Sequence, residues 1–342
     1  MTDRTHIRRW LALALAAALG LARWGAAQAD GARTFTAMDT VMTVRAEGAG
    51  DDLLAACEAE AHRLEGLFSV TDPDSEIGRL NRTGQAELSD ETAAVLRGAL
   101  DMAARTGGAL DVTLYPVVRA WGFTTGAYRV PSDDEIALAL AAVGYEKVSL
   151  SPSGATSVPP RTMIDLGAVA KGYASDRLAA LLRENGVTSA LIDLGGNIGC
   201  VGSKPDGSAW RVALRDPLDD SGYIGIVKAR DLFVVTSGQY ERFFVGEDGT
   251  RYGHIFDPRT GRPADGGLQS VTVVGPEGMT CDALSTALFA MGRDKALSWL
   301  NEHAEVQALL LDDQGEIWVT RAFGEGFAPA GAYAAAPTHV IH

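Results

Sequence analysis

The sequence predicts a single α+β domain with mixed or antiparallel sheets and flanking helices. Strand and helix patterns are interspersed without the strict β-α-β alternation of a doubly wound sheet, and strand patterns are concentrated in the second half. No internal repeat and no interdomain linker is visible. A hydrophobic fraction of 46% is sufficient for a packed core. We expect this domain to occupy residues 30–326.

Helical patterns dominate the first half of the chain. Apolar residues recur at helical spacing in two amphipathic stretches, the second of which Gly107 and Gly108 terminate. Ser132 and Glu135 form a capping box that begins another helix. The predicted elements are a strand at 35–45, helices at 51–68, 89–105 and 132–143, strands at 147–150 and up to 165, and a helix at 168–184.

Strand patterns dominate the second half, where short β-branched runs are separated by turn residues. The predicted elements are strands at 190–194, 210–214, 224–228, 232–236 and 268–274, helices at 280–291 and 294–302, and a hairpin over 306–320 that turns at 313–315. The segment 327–342 is rich in Ala and Pro, and we expect it to be a loosely ordered tail.

Residues 1–29 have the pattern of a cleaved export signal. Arg4, Arg8 and Arg9 precede an uncharged run at 10–22, and Ala27-Gln28-Ala29 is a small-x-small cleavage site. The apolar run is shorter than the roughly 20 residues that span a bilayer. We therefore expect a periplasmic protein that is not integral to the membrane. The two adjacent arginines fit a twin-arginine signal, and an ordinary Sec signal explains the pattern as well.

Composition excludes several classes of function. A formal net charge of −14 repels nucleic acid, so no nucleic-acid partner is expected. Cys57, Cys200 and Cys281 lack the spacing of a disulfide framework or a zinc finger, and we expect three buried thiols. The chain contains no phosphate loop, convincing dinucleotide fingerprint, nucleophile elbow or H-E-x-x-H motif. In so acidic a protein, an anionic substrate requires a bound cation or a local positive group.

Asp165 ends a predicted strand immediately before a helix that contains Lys171. A carboxylate there, with free helix amides nearby and a lysine one turn on, predicts a polar pocket mouth suited to phosphate. A plain helix cap explains Asp165 equally simply.

Asp282, Ser285 and Thr286 lie at positions i, i+3 and i+4 of a predicted helix and therefore share one face. A carboxylate with two hydroxyls offers the hard oxygen ligands that suit Mg²⁺, which commonly takes one or two carboxylates and completes its shell with substrate phosphates. The alternative is an aspartate that only stabilises the start of its own helix.

His254 lies next to the turn Asp257-Pro258-Arg259-Thr260-Gly261. The turn would fix the imidazole on a rigid element, as a general base requires. A structural histidine beside a turn is the alternative.

Eight segments, in order and over nearly the whole chain after residue 29, are together similar to the ApbE family of FAD:protein FMN transferases. They are Met38-Asp39-Thr40, Ser75 to Asn81, Gly108 to Thr113 with Trp121-Gly122-Phe123, Asp165 to Tyr173, Gly195-Gly196-Asn197, Thr236-Ser237-Gly238, His254 to Pro263, and Asp282 to Thr286. The resemblance implies a T-fold-related domain. The family cleaves the pyrophosphate of FAD, transfers FMN to a Ser or Thr hydroxyl of a protein through a phosphoester, and releases AMP.

The resemblance also implies roles for individual residues. His254 would be the base that deprotonates the acceptor hydroxyl. Mg²⁺ would be held by Asp282, Ser285, Thr286 and the carbonyl of Ala168. The FAD contacts would be Met38, Thr71, Ala109, Leu110, Asp111, Asp165, Lys171, Ile255 and Phe256. Thr71 stands where the family often has an aromatic residue, so a stacking partner for the flavin is missing. Asp39 stands where Gly is usual, which bears on the conformation of the first loop.

Two other functions agree with the same residues. A Mg²⁺-dependent FAD pyrophosphatase would use water in place of the protein hydroxyl, and a non-catalytic flavin-binding protein would need neither metal nor base. For a transferase, the resemblance implies a flavin-acceptor subunit of a membrane electron-transfer complex as the partner.

Overall fold

The computed structural model describes residues 31–342, so the predicted export signal lies outside the described residues. Nine α-helices occur in this range. They are α1 (Asp51–Phe68), α2 (Glu76–Thr83), α3 (Asp90–Arg105), α4 (Tyr115–Ala120), α5 (Asp133–Leu140), α6 (Gly167–Glu184), α7 (Gly278–Met291), α8 (Arg293–Glu302) and α9 (Arg321–Gly326). None of these helices is both long and apolar enough to cross a membrane.

The same range contains nineteen strands. They are β1 (Ala32–Ala37), β2 (Thr40–Ala46), β3 (Gln85–Glu87), β4 (Ser149–Leu150), β5 (Ala155–Ser157), β6 (Ser189–Asp193), β7 (Asn197–Gly202), β8 (Trp210–Arg215), β9 (Tyr223–Ala229), β10 (Leu232–Ser237), β11 (Phe243–Val245), β12 (Arg251–Gly253), β13 (Phe256–Asp257), β14 (Arg262–Pro263), β15 (Leu268–Gly275), β16 (Gln307–Asp312), β17 (Ile317–Thr320), β18 (Phe327–Pro329) and β19 (Thr338–Ile341).

Nine strands form the main sheet in the order β1-β2-β6-β7-β10-β15-β16-β17-β19. Neighbours pair antiparallel except β17 and β19, which are parallel. Smaller sheets are β18-β9-β8, β3-β5-β4 and the hairpins β11-β12 and β13-β14. This architecture confirms the predicted α+β class and its largely antiparallel sheets.

Both faces of the central strands are buried. Phe233 and Val235 of β10 face a core shared with α1, α6 and α7, whereas Val234 faces a second core shared with β8 and β9. Side chains alternate between the faces of a strand, so burial on both sides requires a continuous apolar run. The sequence of β10, LFVVTS, supplies this run and ends in two hydroxyl residues.

The prediction of a loosely ordered tail at 327–342 is wrong. β18 pairs antiparallel with β9, β19 pairs parallel with β17, and Ile341 is buried in the larger core. A short edge strand needs few paired residues and tolerates proline, so Pro329 at the end of β18 is compatible with the ladder. The Ala and Pro content of this segment therefore does not predict that it forms strands.

Two predicted strands also differ from the structure. The strand at 35–45 is a hairpin, because Met38 and Asp39 have φ of 50° and 59° and form a two-residue turn between β1 and β2. The strand ending at Asp165 is absent. Its backbone makes the bridge between Leu114 and Met163 and a 2.7 Å hydrogen bond from the Asp165 amide to the Val112 carbonyl, and the Asn81 side chain binds both backbone groups of Ile164.

Other local predictions are confirmed. The capping box of Ser132 and Glu135 begins α5, and Cys57, Cys200 and Cys281 are buried free thiols.

Candidate active site

The centre of the site lies where helices α6 and α7 approach each other most closely. Gly172 of α6 faces Gly278 of α7, and a Cβ at position 172 would lie 2.3 Å from the Gly278 carbonyl oxygen. Because no side chain separates the helices there, the Gly172 amide reaches Asp282 and donates to its Oδ2 at 2.8 Å. The contact orients the Asp282 carboxylate towards the backbone of α6.

The Asp282 carboxyl group is buried, and neighbouring polar groups partly offset the effect of burial on its pKa. The residue is 3% exposed, and burial raises the pKa of its carboxyl group. The Lys171 ammonium opposes this effect most strongly, followed by the Gly172 amide and the nearby Asn197 side chain. The carboxylate therefore depends on a few specific neighbours to remain ionised.

Lys171 is the cation that the acidic groups of the site share. It lowers the pKa of Asp165, of Glu241 and of Asp282, and it also lowers the pKa of His254. The fold thus brings four sequence-predicted residues, Asp165, Lys171, His254 and Asp282, into one electrostatic cluster, although they come from three distant parts of the chain.

Three hydroxyl groups gather at the end of β10 and on α7. The Oγ atoms of Ser237 and Ser285 lie 2.8 Å apart, and Ser237 Oγ lies 3.3 Å from Thr286 Oγ1. Ser285 also donates to the Asp282 carbonyl at 3.0 Å. Ala168 lies in the first turn of α6, the helix that contacts Asp282.

This donor set fits Mg²⁺. Within residues 31–342, no group of three or more His, Cys, Asp and Glu side chains is arranged so that it could hold a metal ion. One carboxylate with hydroxyls and carbonyls instead matches an ion that retains water and binds substrate phosphates.

The backbone fixes the orientation of the His254 imidazole. Its Nδ1 lies 3.0 Å from the Arg242 carbonyl oxygen, which can only accept, so Nδ1 carries the proton and Nε2 is the free base. Burial, together with the positive charges of Lys171 and Arg242, lowers the pKa of His254 to about 4, although the hydrogen bond to the Arg242 carbonyl opposes this effect. The Gln239 amide holds the next residue, accepting from the Ile255 N–H at 3.1 Å and donating to its carbonyl at 2.8 Å.

The Met38-Asp39 turn reaches this cluster through Arg242. The Met38 amide donates to Glu65 Oε1 at 2.8 Å, and Asp39 Oδ2 lies 3.9 Å from Arg242 Nη1. Arg242 in turn acts electrostatically on Asp165. The turn is therefore anchored on one side and directed at the site on the other.

Other predicted contacts have side chains that are engaged elsewhere. Both carboxylate oxygens of Asp111 accept backbone amides, from Thr113 at 2.8 Å and Tyr145 at 3.0 Å. Leu110, Ile255 and Phe256 are buried, and Ala109 has only a methyl group. These residues can offer backbone groups to a ligand, whereas their side chains maintain the loops.

Thr71 is exposed, and its hydroxyl lies 3.2 Å from that of Ser69. The structure does not place Thr71 in the charged cluster.

Sequence reasoning missed Glu241 and gave no role to Asn197 or Arg242. Burial and the charge of Asp282 together raise the pKa of Glu241 to about 7, against the opposing effects of Lys171 and Arg215. The available signal was an acid and an arginine four and five residues after Ser237, at the end of a buried strand.

Two cavities, of about 340 and 300 Å³, share Gly107, Gly108, Pro258 and Arg259, and the predicted FAD contacts Ala109 and Asp111 line one each. Neither is lined by Lys171, His254 or Asp282. We assign the site from the convergent charged and hydroxyl groups, because cavity volume alone carries no chemistry.

Comparison with known proteins gives a consistent result. The model of the ApbE family matches residues 38–310, which is more than half of the chain. A FAD:protein FMN transferase of Treponema pallidum is 36% identical over 267 residues, covering 72% of this chain and 73% of the relative. One from Vibrio cholerae is 36% identical over 231 residues, covering 66% and 69%.

Solved structures agree with the sequence relatives. The crystal structure of the ApbE protein from Thermotoga maritima has a TM-score of 0.81 and 32% identity, covering 86% of this chain and 98% of its own. The apo flavinyl transferase ApbE of Pseudomonas stutzeri has a TM-score of 0.77 and 30% identity, covering 88% and 98%. The chain therefore belongs to the ApbE family.

Proposed function

We propose that this protein is a Mg²⁺-dependent FAD:protein FMN transferase. It cleaves the pyrophosphate of FAD, attaches FMN through a phosphoester to a Thr or Ser of an acceptor protein, and releases AMP. The observation that carries the proposal is the cluster around Lys171, in which Asp165, His254 and Asp282 share one cation. Relatives that bear this name match most of the chain.

The cluster suits a pyrophosphate in an otherwise acidic protein. Lys171 and Arg242 supply positive charge, while Asp282 with Ser285, Thr286 and the Ala168 carbonyl would hold Mg²⁺. When bound, the ion neutralises the charge that develops on the phosphate oxygens during transfer. FAD would lie against Met38, the loop at 109–111, Asp165 and the backbone of Ile255 and Phe256.

His254 has the orientation of a general base. Its free Nε2 accepts the proton of the acceptor hydroxyl, and the resulting oxygen attacks the phosphorus of the FMN half. The new P–O bond forms as the bond between that phosphorus and the bridging oxygen breaks, and AMP leaves with the bridging oxygen. The neutral imidazole at physiological pH leaves Nε2 ready to accept.

The FAD pyrophosphatase is the second candidate, because Thr71 is exposed and offers no aromatic face to the flavin. Water would then replace the hydroxyl, giving FMN and AMP. A binding protein is disfavoured, since binding alone requires neither an oriented base nor a metal donor set. We place the enzyme in the periplasm on the basis of its predicted signal, acting on a flavin-acceptor subunit of a membrane electron-transfer complex.

Purified protein incubated with FAD, MgCl₂ and an acceptor domain tests the proposal. We expect fluorescent flavin bound covalently to the acceptor, with AMP in equal amount, and no labelling when the acceptor Thr is replaced by Ala. Free FMN with AMP would instead identify the hydrolase, and unchanged FAD would identify a binder.

The metal assignment requires a matched pair of variants. Asp282→Asn removes the buried charge at the metal donor set, and we expect transfer to fall by at least about 100-fold. Asp294→Asn removes an acid that is 87% exposed on α8 and should transfer at the normal rate. Full activity of Asp282→Asn, or of the normal protein in EDTA, would refute the metal assignment.

A further inference from the structure

We propose that the acceptor protein docks on the β11–β12 hairpin by adding an extended segment to the free edge of β11. The inference rests on the proposed function and names the surface that the second substrate of the transfer occupies. In this position the target hydroxyl approaches His254, which directly follows the hairpin.

The two ends of the hairpin hold the proposed base. Arg242 directly precedes β11, and His254 directly follows β12. The His254 amide donates to the Arg242 carbonyl at 3.2 Å, and Nδ1 of the imidazole lies 3.0 Å from the same oxygen. A segment that lies along the hairpin and runs towards these ends therefore leads to the imidazole.

The outer edge of β11 has backbone groups that can pair with another strand. The Gly246 amide donates to the Thr250 carbonyl at 2.9 Å, so the antiparallel alternation places Phe243 and Val245 in non-hydrogen-bonded pairs. Their N–H and C=O groups point away from β12, and within residues 31–342 β12 is the only strand that pairs with β11. An open strand edge of this kind accepts an extended peptide through main-chain hydrogen bonds.

The outer edge of β12 is less accessible than that of β11. Gly253 is buried, and beyond it the Gln239 side chain accepts from the Ile255 amide at 3.1 Å and donates to the Ile255 carbonyl at 2.8 Å. By contrast, Val245 on β11 is 58% exposed. We therefore place the acceptor segment on β11.

Aromatic packing fixes the inner face of the hairpin. The rings of Phe244 and Tyr252 lie with their centroids 6.4 and 5.2 Å from that of Trp121, which is fully buried. Side chains alternate between the two faces of a strand, so Phe243 and Val245 lie on the outer face. The edge of β11 is thus presented on a rigid support.

Arg251 indicates the charge of the segment that docks. It pairs with Val245 on the outer face, and its exposed guanidinium lies 3.8 Å from the centre of the Phe243 ring. This stacking directs the positive charge away from the acids of the turn, Glu247 and Asp248, and towards the end of the hairpin that holds the base. We expect an acidic side chain on the outer face of the acceptor segment.

A proline at position 245 tests the docking edge. Val245→Pro removes the outward amide and leaves the hydrogen bonds of the hairpin in place, because proline is tolerated where an edge N–H faces solvent. We expect the KM for the acceptor domain to rise about 10-fold, while kcat and FAD affinity in EDTA stay normal. Val130→Pro replaces an exposed valine outside the hairpin and should leave this KM unchanged.

The charge is tested in the same assay. Arg251→Gln should raise the KM for the acceptor domain about 2- to 5-fold, and the difference should shrink at high ionic strength. Lys228→Gln removes an exposed cation from β9, in a different sheet, and should have no effect.

Hydrogen exchange measures docking without turnover and requires no variant of this protein. The probe is the acceptor domain with its target Thr replaced by Ala. On binding, the amides of Phe243 and Val245 should exchange at least about 10-fold more slowly, whereas the amide of Arg251, on the opposite edge, should keep its rate.

A normal KM in Val245→Pro, or unchanged exchange at Phe243 and Val245, would overturn the inference and leave the transferase function standing. A dimer of the normal protein in sedimentation that Val245→Pro abolishes would also overturn it, because a second copy would then occupy the edge. Normal protein that protects these amides yet leaves the acceptor Thr unlabelled would instead refute the proposed function and leave the docking site standing.

Discussion

The backbone amide of Gly172 donates to Oδ2 of Asp282 at 2.8 Å, and this bond joins the two helices that carry the site. A Cβ at position 172 would lie 2.3 Å from the Gly278 carbonyl and 2.7 Å from the Asp282 Cβ. Glycine at 172 is therefore required by close packing, because a methyl group would displace α7 and its carboxylate together.

Gly172→Ala should lower both stability and metal binding. Overpacking a tight contact typically costs about 1–3 kcal/mol, and here the obstacle is backbone that cannot rotate away. Chemical denaturation would measure the loss of unfolding free energy, and Mg²⁺ titration would measure the displacement of Asp282.

Gly66→Ala is the matched control for this substitution. Gly66 also lies in a helix, α1, but a Cβ there would meet nothing within 4 Å. Alanine is a better helix former than glycine by about 0.8–1 kcal/mol, so this variant should be as stable as the normal protein or slightly more stable. Similar destabilisation by both variants would exclude a specific role of the α6–α7 contact.

Asp176 caps the helix that carries the hydroxyl groups. Its two carboxylate oxygens accept the amides of Gly278 at 2.6 Å and Met279 at 2.8 Å, while Glu277 at the N-cap position makes no side-chain capping bond. Asp176→Ala should lower the unfolding free energy by about 0.5–2 kcal/mol. Asp176→Asn keeps one acceptor oxygen and should fall between the two proteins in thermal melting. An alanine variant that melts normally would show that the cap is dispensable.

Glu241 should make stability depend on pH. Burial and the charge of Asp282 raise its pKa from 4.5 to about 7, so the folded protein binds a proton that the unfolded chain has lost between these values. Its contribution to the unfolding free energy therefore falls as pH rises from about 4.5 to 7. Glu241→Gln cannot titrate, so we expect it to gain stability relative to the normal protein by on the order of 2 kcal/mol between pH 5 and pH 8. Metal-free denaturation at the two pH values measures this, and parallel curves would contradict it.

The sequence predicts helices well where apolar residues recur at helical spacing. The helix at 51–68 is found with the same bounds, and that at 89–105 begins one residue later, because amphipathic spacing and caps are local signals. Elements that depend on tertiary partners were missed or misplaced. No element was predicted at β7, which is held between β6 and β10, and β19, in the predicted tail, depends on β17.

The candidate site likewise contains some residues that sequence spacing predicts and others that only the fold brings together. The i, i+3, i+4 spacing predicted that Asp282, Ser285 and Thr286 share a helix face. No spacing could place Glu241 near Asp282, since the fold alone brings these residues together, and the pKa of the glutamate is perturbed by burial and by charges that are distant in sequence. The burial of Asn197 is likewise visible only in three dimensions.

His254 should titrate well below an ordinary histidine. Burial, with Lys171 and Arg242, lowers its pKa from 6.5 to about 4, so the imidazole remains neutral down to about that pH. The stability that neutral His254 contributes is present above pH 6.5 and is lost as pH falls towards 4. Proton NMR of the metal-free protein should show one imidazole with this low midpoint, and the signal should be missing from His254→Ala. A midpoint near 6.5 for that signal would contradict the described environment.

His254→Ala should also separate binding from chemistry. We expect FMN transfer to fall about 100- to 10,000-fold, which is the usual contribution of a general base, while FAD affinity changes little. His303→Ala is a suitable control, because His303 stacks on Trp299 at 3.7 Å and lies outside the charged cluster. Unimpaired transfer by His254→Ala would remove its role as the base.

Thr71→Tyr should strengthen flavin binding. Thr71 is exposed, and the adjoining Val70 carbonyl is fixed by the Tyr115 hydroxyl at 3.1 Å, so an aromatic ring there would start from an ordered backbone. Aromatic stacking is worth about 0.5–1.5 kcal/mol, which corresponds to about 2- to 12-fold in affinity. Quenching of FAD fluorescence in EDTA measures binding without turnover, and Thr188→Tyr, at the exposed residue that precedes β6, controls for an added surface ring. Slower flavin release should also raise the ratio of FMN transferred to FMN freed. If Thr71→Tyr binds FAD no better than Thr188→Tyr, the flavin does not lie over this loop.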